Sequence, residues 1–147
     1  MKNQRSIMVC DDQPILRKLL METIRAHEPQ TVIMEARDGK EAEELFQLFK
    51  FDVLFLDVEM PNQDGFTTLE KLRATKKIES CKVVMCTGCG DDVHFARGLE
   101  LDVDYYVTKP FDLPQIKELL AACWSEEDDS ASEEPRVFRS LCSALLS

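Results

Sequence analysis

The apolar run Val53-Leu54-Phe55-Leu56, closed by Asp57, constrains this chain more than any other stretch. Four apolar residues without alternation read as a strand buried on both faces, the mark of a parallel sheet. An acid at the carboxyl end of such a strand emerges in the crevice where open α/β sheets bind ligands. Pro61 stops further pairing, and Asp64-Gly65 opens the next helical pattern.

The rest of the chain repeats that unit. Strands are expected over Ile7–Cys10, Thr31–Ala36, Lys82–Cys86 and Val103–Val107. Pro14 suits a first helical turn, and Ile15, Leu16, Leu19, Leu20 and Ile24 follow at helical spacing. Asp38-Gly39 is a turn. Ala42, Leu45, Phe46 and Phe49 then form the inward stripe of a second helix, and Phe66, Leu69 and Leu72 that of a third. A fourth helix is expected from about Asp91 to Glu100 and a fifth over Leu113–Trp124. Five strands alternating with five helices imply a doubly wound parallel sheet with right-handed crossovers.

Composition limits the function classes. A chain of 147 residues is long enough for one domain with its own core. No window approaches the ~18 apolar residues of a membrane span, and Met1–Ser6 is not followed by the apolar region of a secretory signal. Six irregularly spaced cysteines fit reduced thiols in a cytoplasmic protein. A formal charge of −10 argues against non-specific nucleic-acid binding by the whole chain.

In a parallel sheet all the strand ends with polar residues lie on one edge. Asp11 and Asp12 follow the first strand, Asp57 the third, Thr87 the fourth and Lys109 the fifth. Three carboxylates then share one crevice. Two charges ~5 Å apart repel by roughly 3 kcal/mol at an effective dielectric of about 20, and Lys109 offsets one of the three. A divalent cation is therefore expected, and all-oxygen ligands favour Mg²⁺ or Mn²⁺.

The acidic pair Asp11-Asp12, the stretch Asp57-x-x-Met60-Pro61-x-x-Asp64-Gly65, Thr87, Tyr106 and Lys109-Pro110-Phe111 stand in order. From about Arg5 to Trp124 the chain resembles a response-regulator receiver domain of two-component signalling and bacterial chemotaxis. The resemblance implies a flavodoxin-like sheet of order 2-1-3-4-5. It implies that Asp57 takes a phosphoryl group from a histidine kinase or phosphotransfer protein. Asp12, Asp57 and the Glu59 main-chain carbonyl would hold Mg²⁺, with Asp11 acting largely through water. Lys109 and Thr87 would bind phosphoryl oxygens. Tyr106 would swing inward as Thr87 moves, reshaping the face of the fourth helix, fifth strand and fifth helix where an output protein docks. The Lys109-Pro110 bond is expected to be cis.

Some positions depart from the family pattern. Glu59 and Cys89 flank the phosphoryl site, and Glu59 can repel the phosphoryl group, bind metal or pair with Lys109. Asp102-Val103 replaces the usual Gly-Ala, which suggests a looser end to the fourth helix and a docking face adapted to one partner. Cys86-x-x-Cys89 reads as a strand cysteine plus a loop thiol rather than a redox pair. His27 and His94 lie on helical patterns and read as solvated.

Three segments follow from these patterns: a receiver domain at 1–125, an acidic Ser-rich linker at 126–135 and a short amphipathic segment at 136–147. The last of these could dock on its own receiver, on a partner or in a homodimer. The chain reads as a stand-alone receiver or one cut from a longer regulator. The leading function is a phosphorylation-switched binding module, not an enzyme. The alternatives are an aspartyl-phosphate phosphatase, since Asp57-x-Glu59 loosely matches an Asp-x-Asp pattern, and a phosphate-independent adaptor.

Overall fold

The computed structural model describes residues 4–88, 96–98 and 100–125. Five strands are present: β1 (Ser6–Cys10), β2 (Val32–Ala36), β3 (Val53–Asp57), β4 (Lys82–Thr87) and β5 (Tyr105–Thr108). They form one parallel sheet of order β2-β1-β3-β4-β5, as the alternating pattern and the family resemblance imply. β3 lies at the centre and is buried along its whole length.

Helices cover both faces. α1 (Pro14–His27) starts on Pro14, whose missing N–H falls where no helical partner exists. α2 (Gly39–Leu48) and α3 (Gly65–Thr75) are each capped by an aspartate. Asp38 accepts from the Glu41 N–H at 2.8 Å and Asp64 from the Thr67 N–H at 2.7 Å. The last helix spans Leu113–Ser125. Residues 96–98 and 100 are helical too, and the rest of the expected fourth helix, with His94 and Cys89, lies outside the described residues. So do the linker at 126–135 and the segment at 136–147.

The alternation of β3 splits the core in two. Leu54 and Leu56 pack with Phe46, Phe66, Leu69 and Leu72 from α2 and α3. Val53 and Phe55 pack with Leu20 and Ile24 from α1 and with Ile116 and Leu120 from the last helix.

Several local expectations need correction. Ile15 is 82% exposed and Leu19 half-exposed, so only part of the apolar repeat of α1 faces the sheet. Leu20 and Ile24 are buried, and Arg17 is buried with them. Phe49 ends α2 as its cap and is 48% exposed, so it is no part of an inward stripe. β5 begins at Tyr105, not Val103. Val103 and Asp104 are spent on the turn, their N–H groups donating to Gly98 and Val83 carbonyls at 3.0 Å each.

Candidate functional site

Parallel pairing brings the strand ends to one edge. The carboxylates of Asp11, Asp12 and Asp57 each place an oxygen within 4.8 Å of the others. Asp11 follows β1, and its backbone N–H donates to the Ala36 carbonyl at 3.1 Å. Its side chain accepts from the Gln13 N–H at 2.9 Å, which fixes one oxygen at the start of α1. Arg17 was not singled out by sequence. It donates to the Asp11 carbonyl and to the Glu35 carboxylate, both at 2.8 Å, so an α1 side chain holds the turn that carries the acidic pair. A cation among apolar positions of α1 is the signal that could have found it.

Asp57 closes β3 and is 4% exposed. The turn after it is tight. A Cβ on Gly65 would collide with the Asp57 carbonyl oxygen, so α3 can start this close to the strand end only with glycine there. The Gly65 N–H donates to the Val58 carbonyl at 2.9 Å.

Lys109 crosses from β5 and bridges two of the acids, with Nζ 2.9 Å from Asp11 Oδ2 and 3.2 Å from Asp57 Oδ1. It therefore serves two carboxylates, Asp11 and Asp57, rather than the one expected, while the side chain of Glu59 is exposed. The Lys109-Pro110 bond is cis.

Electrostatics follow from burial. Desolvation and then the charge of Asp11 push the Asp57 pKa from 3.8 up to about 6, against the pull of Lys109 and the Glu59 main-chain N–H. Burial works against the Lys109 cation, but bonding to Asp11 and the charges of both acids hold its pKa above the ordinary lysine value. The two shifts are compatible: one lysine shared by buried acids stays charged and leaves the acids under-neutralised.

The donor set suits a hard divalent cation. Asp12 Oδ1 is buried with no hydrogen-bond partner among the described residues, and a buried acceptor of that kind costs about 1–3 kcal/mol unless a ligand or water satisfies it. Three carboxylates, all oxygen ligands, match Mg²⁺ or Mn²⁺ rather than zinc.

Thr87 ends β4 and is buried. Asp57 pairs in register with Cys86, so Thr87 follows directly beside the cluster. Its carbonyl accepts from the Lys109 N–H at 2.7 Å. Tyr106 is not in the cluster. It is buried against the α2–α3 side of the core, where a Cβ on Gly98 would come within 2.9 Å of its ring. Cys86 and Cys10 are free and buried, which raises both thiols out of the reactive range.

A parallel five-stranded sheet with an acidic triad and a lysine at its carboxyl edge defines a class of signalling fold, and the comparisons agree with it. The response regulator receiver domain family matches residues 7–121. The chain belongs to that family and is a receiver domain of two-component signalling. Among curated proteins it is 41% identical over 105 residues to a protein-glutamate methylesterase/protein-glutamine glutaminase of Nitrosomonas europaea, covering 71% of this chain and 29% of that protein. It is 38% identical over 104 residues to the Escherichia coli K12 protein of the same name, covering 71% and 30%. The chain thus spans about three-tenths of these relatives. Among solved structures, the chemotaxis protein CheY4 of Vibrio cholerae superposes with a TM-score of 0.77 at 22% identity, covering 82% of this chain and 99% of that one. The receiver domain of AraT from Geobacillus stearothermophilus gives 0.76 at 31% identity, covering 86% and 97%. No helix among the described residues is long and apolar enough to cross a membrane.

Proposed function

We propose that Asp57 is a phosphoacceptor and that its phosphorylation by a histidine kinase or phosphotransfer protein alters the partner-binding face of this domain. The observation that carries this reading is the shared lysine. Lys109 spans Asp11 and Asp57 while Asp12 keeps a buried oxygen without a hydrogen-bond partner among the described residues. Such a site is short of positive charge, and a phosphoryl group would add about −2 more.

Asp11, Asp12 and Asp57, with the Glu59 carbonyl, would hold Mg²⁺, which when bound supplies charge neutralisation and alignment. The chain's own groups do the rest. A deprotonated Asp57 oxygen bonds to phosphorus as the P–N bond of a phosphohistidine breaks. The electron pair leaves with the imidazole, which takes a proton from the medium. Lys109 Nζ can let go of Asp57 and meet a phosphoryl oxygen while keeping Asp11. Thr87, beside it, donates to another. Phosphoryl transfer needs little more from a protein than this positioning and charge.

Movement of Thr87 and Lys109 would be felt along β4 and β5, and Tyr106 stands on β5 between them and the helical residues 96–98. Tyr106 already lies buried, so the response proposed is a change in how tightly it is held there. The output protein would dock on this side. The chain takes up one phosphoryl group rather than turning over a substrate. Incubating the full chain with a small acyl phosphate and Mg²⁺ should add ~80 Da, located on Asp57 and absent from Asp57→Asn. No adduct, or sustained release of phosphate far beyond one equivalent, would overturn the reading.

A further inference from the structure

The amino edge of the sheet, far from the acids, carries a surface of different chemistry. There Leu48 is 74% and Phe49 48% exposed. They line a groove of about 480 Å³ together with Lys50, Lys76, Lys77 and Glu79. Lys77 donates to the Gln47 carbonyl at 3.3 Å. None of the three lysines is ion-paired with a carboxylate among the described residues. A basic, apolar groove stands out on a chain of net charge −10.

The chain's own sequence holds the complement. Glu126, Glu127, Asp128, Asp129, Glu133 and Glu134 put six acids and no base into nine residues, and Phe138, Leu141 and Leu145 follow at helical spacing. The root of this stretch is close by. Trp124 lies under the Arg5 guanidinium at 4.2 Å, and the next residue, Ser6, donates to the Lys50 carbonyl at 2.8 Å. Nine extended residues reach ~30 Å, enough to pass from one face of the sheet to the other across layers about 10 Å thick.

We propose that residues 126–147 dock on this groove in cis, with the acids over Lys50, Lys76 and Lys77 and the apolar stripe over Leu48 and Phe49. Tethering favours this occupant, since a short linker holds its segment at an effective concentration of about millimolar. It also offsets the weakness of an isolated short helix in water. A second copy is disfavoured, because both copies carry the same negative excess and would set lysine against lysine. The proposal does not depend on phosphorylation of Asp57.

The test is amide NMR on the full-length protein. Phe138→Asp/Leu141→Asp/Leu145→Asp should shift amides confined to 46–50 and 76–80. Lys50→Glu/Lys76→Glu/Lys77→Glu, checked by circular dichroism for an unchanged fold, should reproduce the loss in the tail's own amides. Raising salt from about 0.05 M to about 0.5 M should weaken both, since exposed charges are screened within a Debye length. Groove amides indifferent to the tail substitutions would overturn docking. Shifts that grow with protein concentration would overturn it in favour of a second copy, and shifts centred elsewhere would overturn the groove as its site.

Discussion

Asp57 is a carboxylate that the folded protein makes costly to ionise. Burial and Asp11 lift its pKa to about 6 from 3.8, so between those values the native state holds a proton that the unfolded chain has released. Stability therefore falls as pH rises through about 4 to 6 and stays lower above it. About two pH units correspond to at most ~3 kcal/mol. Asp57→Asn should raise stability at pH 7 in metal-free buffer by about 1–3 kcal/mol, with the gain vanishing near pH 4 in urea melts. A gain equal at both pH values would show that charge is not the cause. Arg17 is the other telling residue. Arg17→Met leaves the Asp11 carbonyl without its donor, so a loss of about 1–3 kcal/mol is expected in thermal melts. Weaker Mg²⁺ binding by calorimetry should accompany it, since the turn bearing Asp11 and Asp12 loses its anchor.

Elements are held at their ends. Asp102 has φ 57°, a left-handed conformation that costs most residues 1–2 kcal/mol and aspartate less. The sequence marks this place as strained, because Asp stands where the family usually has Gly. Arg73 of α3 donates to the Leu101 carbonyl at 3.2 Å and the Asp102 carbonyl at 2.9 Å, tying this turn to α3. Asp102→Gly should stabilise the protein by about 1 kcal/mol, seen as a higher Tm. If the strained turn shapes the docking face, the same change should alter partner affinity. Gly65→Ala should do the reverse. Its methyl would strike the Asp57 carbonyl, so lower stability and slower labelling of Asp57 are expected together, by melting and by mass spectrometry.

At the scale of the whole molecule, the acidic edge should make stability responsive to cations if it holds Mg²⁺ as proposed. Ligand binding to the native state adds RT ln(1 + [L]/Kd), about 1.4 kcal/mol at ten times Kd. Mg²⁺ should raise the Tm of the wild-type protein and leave Asp12→Asn nearly unmoved in the same titration.

Much of this was legible in the residues. The alternation of strands and helices, the acidic pair, Asp57 and Lys109 could be read because a parallel sheet sorts strand ends onto one edge whatever the side chains between, while the strand order came from the family resemblance. The limits of β5, the exposure of Ile15 and Phe49, and the anchoring by Arg17 and Arg73 could not. Each depends on which neighbour reaches a given atom first, and local pattern is silent on that. The sequence by itself determined the layered α/β architecture and which acids meet, because hydrophobic period and parallel pairing are properties of the chain. Only the tertiary structure decided that one lysine would span two carboxylates and leave an oxygen of the third without a partner among the described residues. That outcome turns on distances of a few ångströms between segments nearly a hundred residues apart, where Coulomb energy and desolvation change steeply with position.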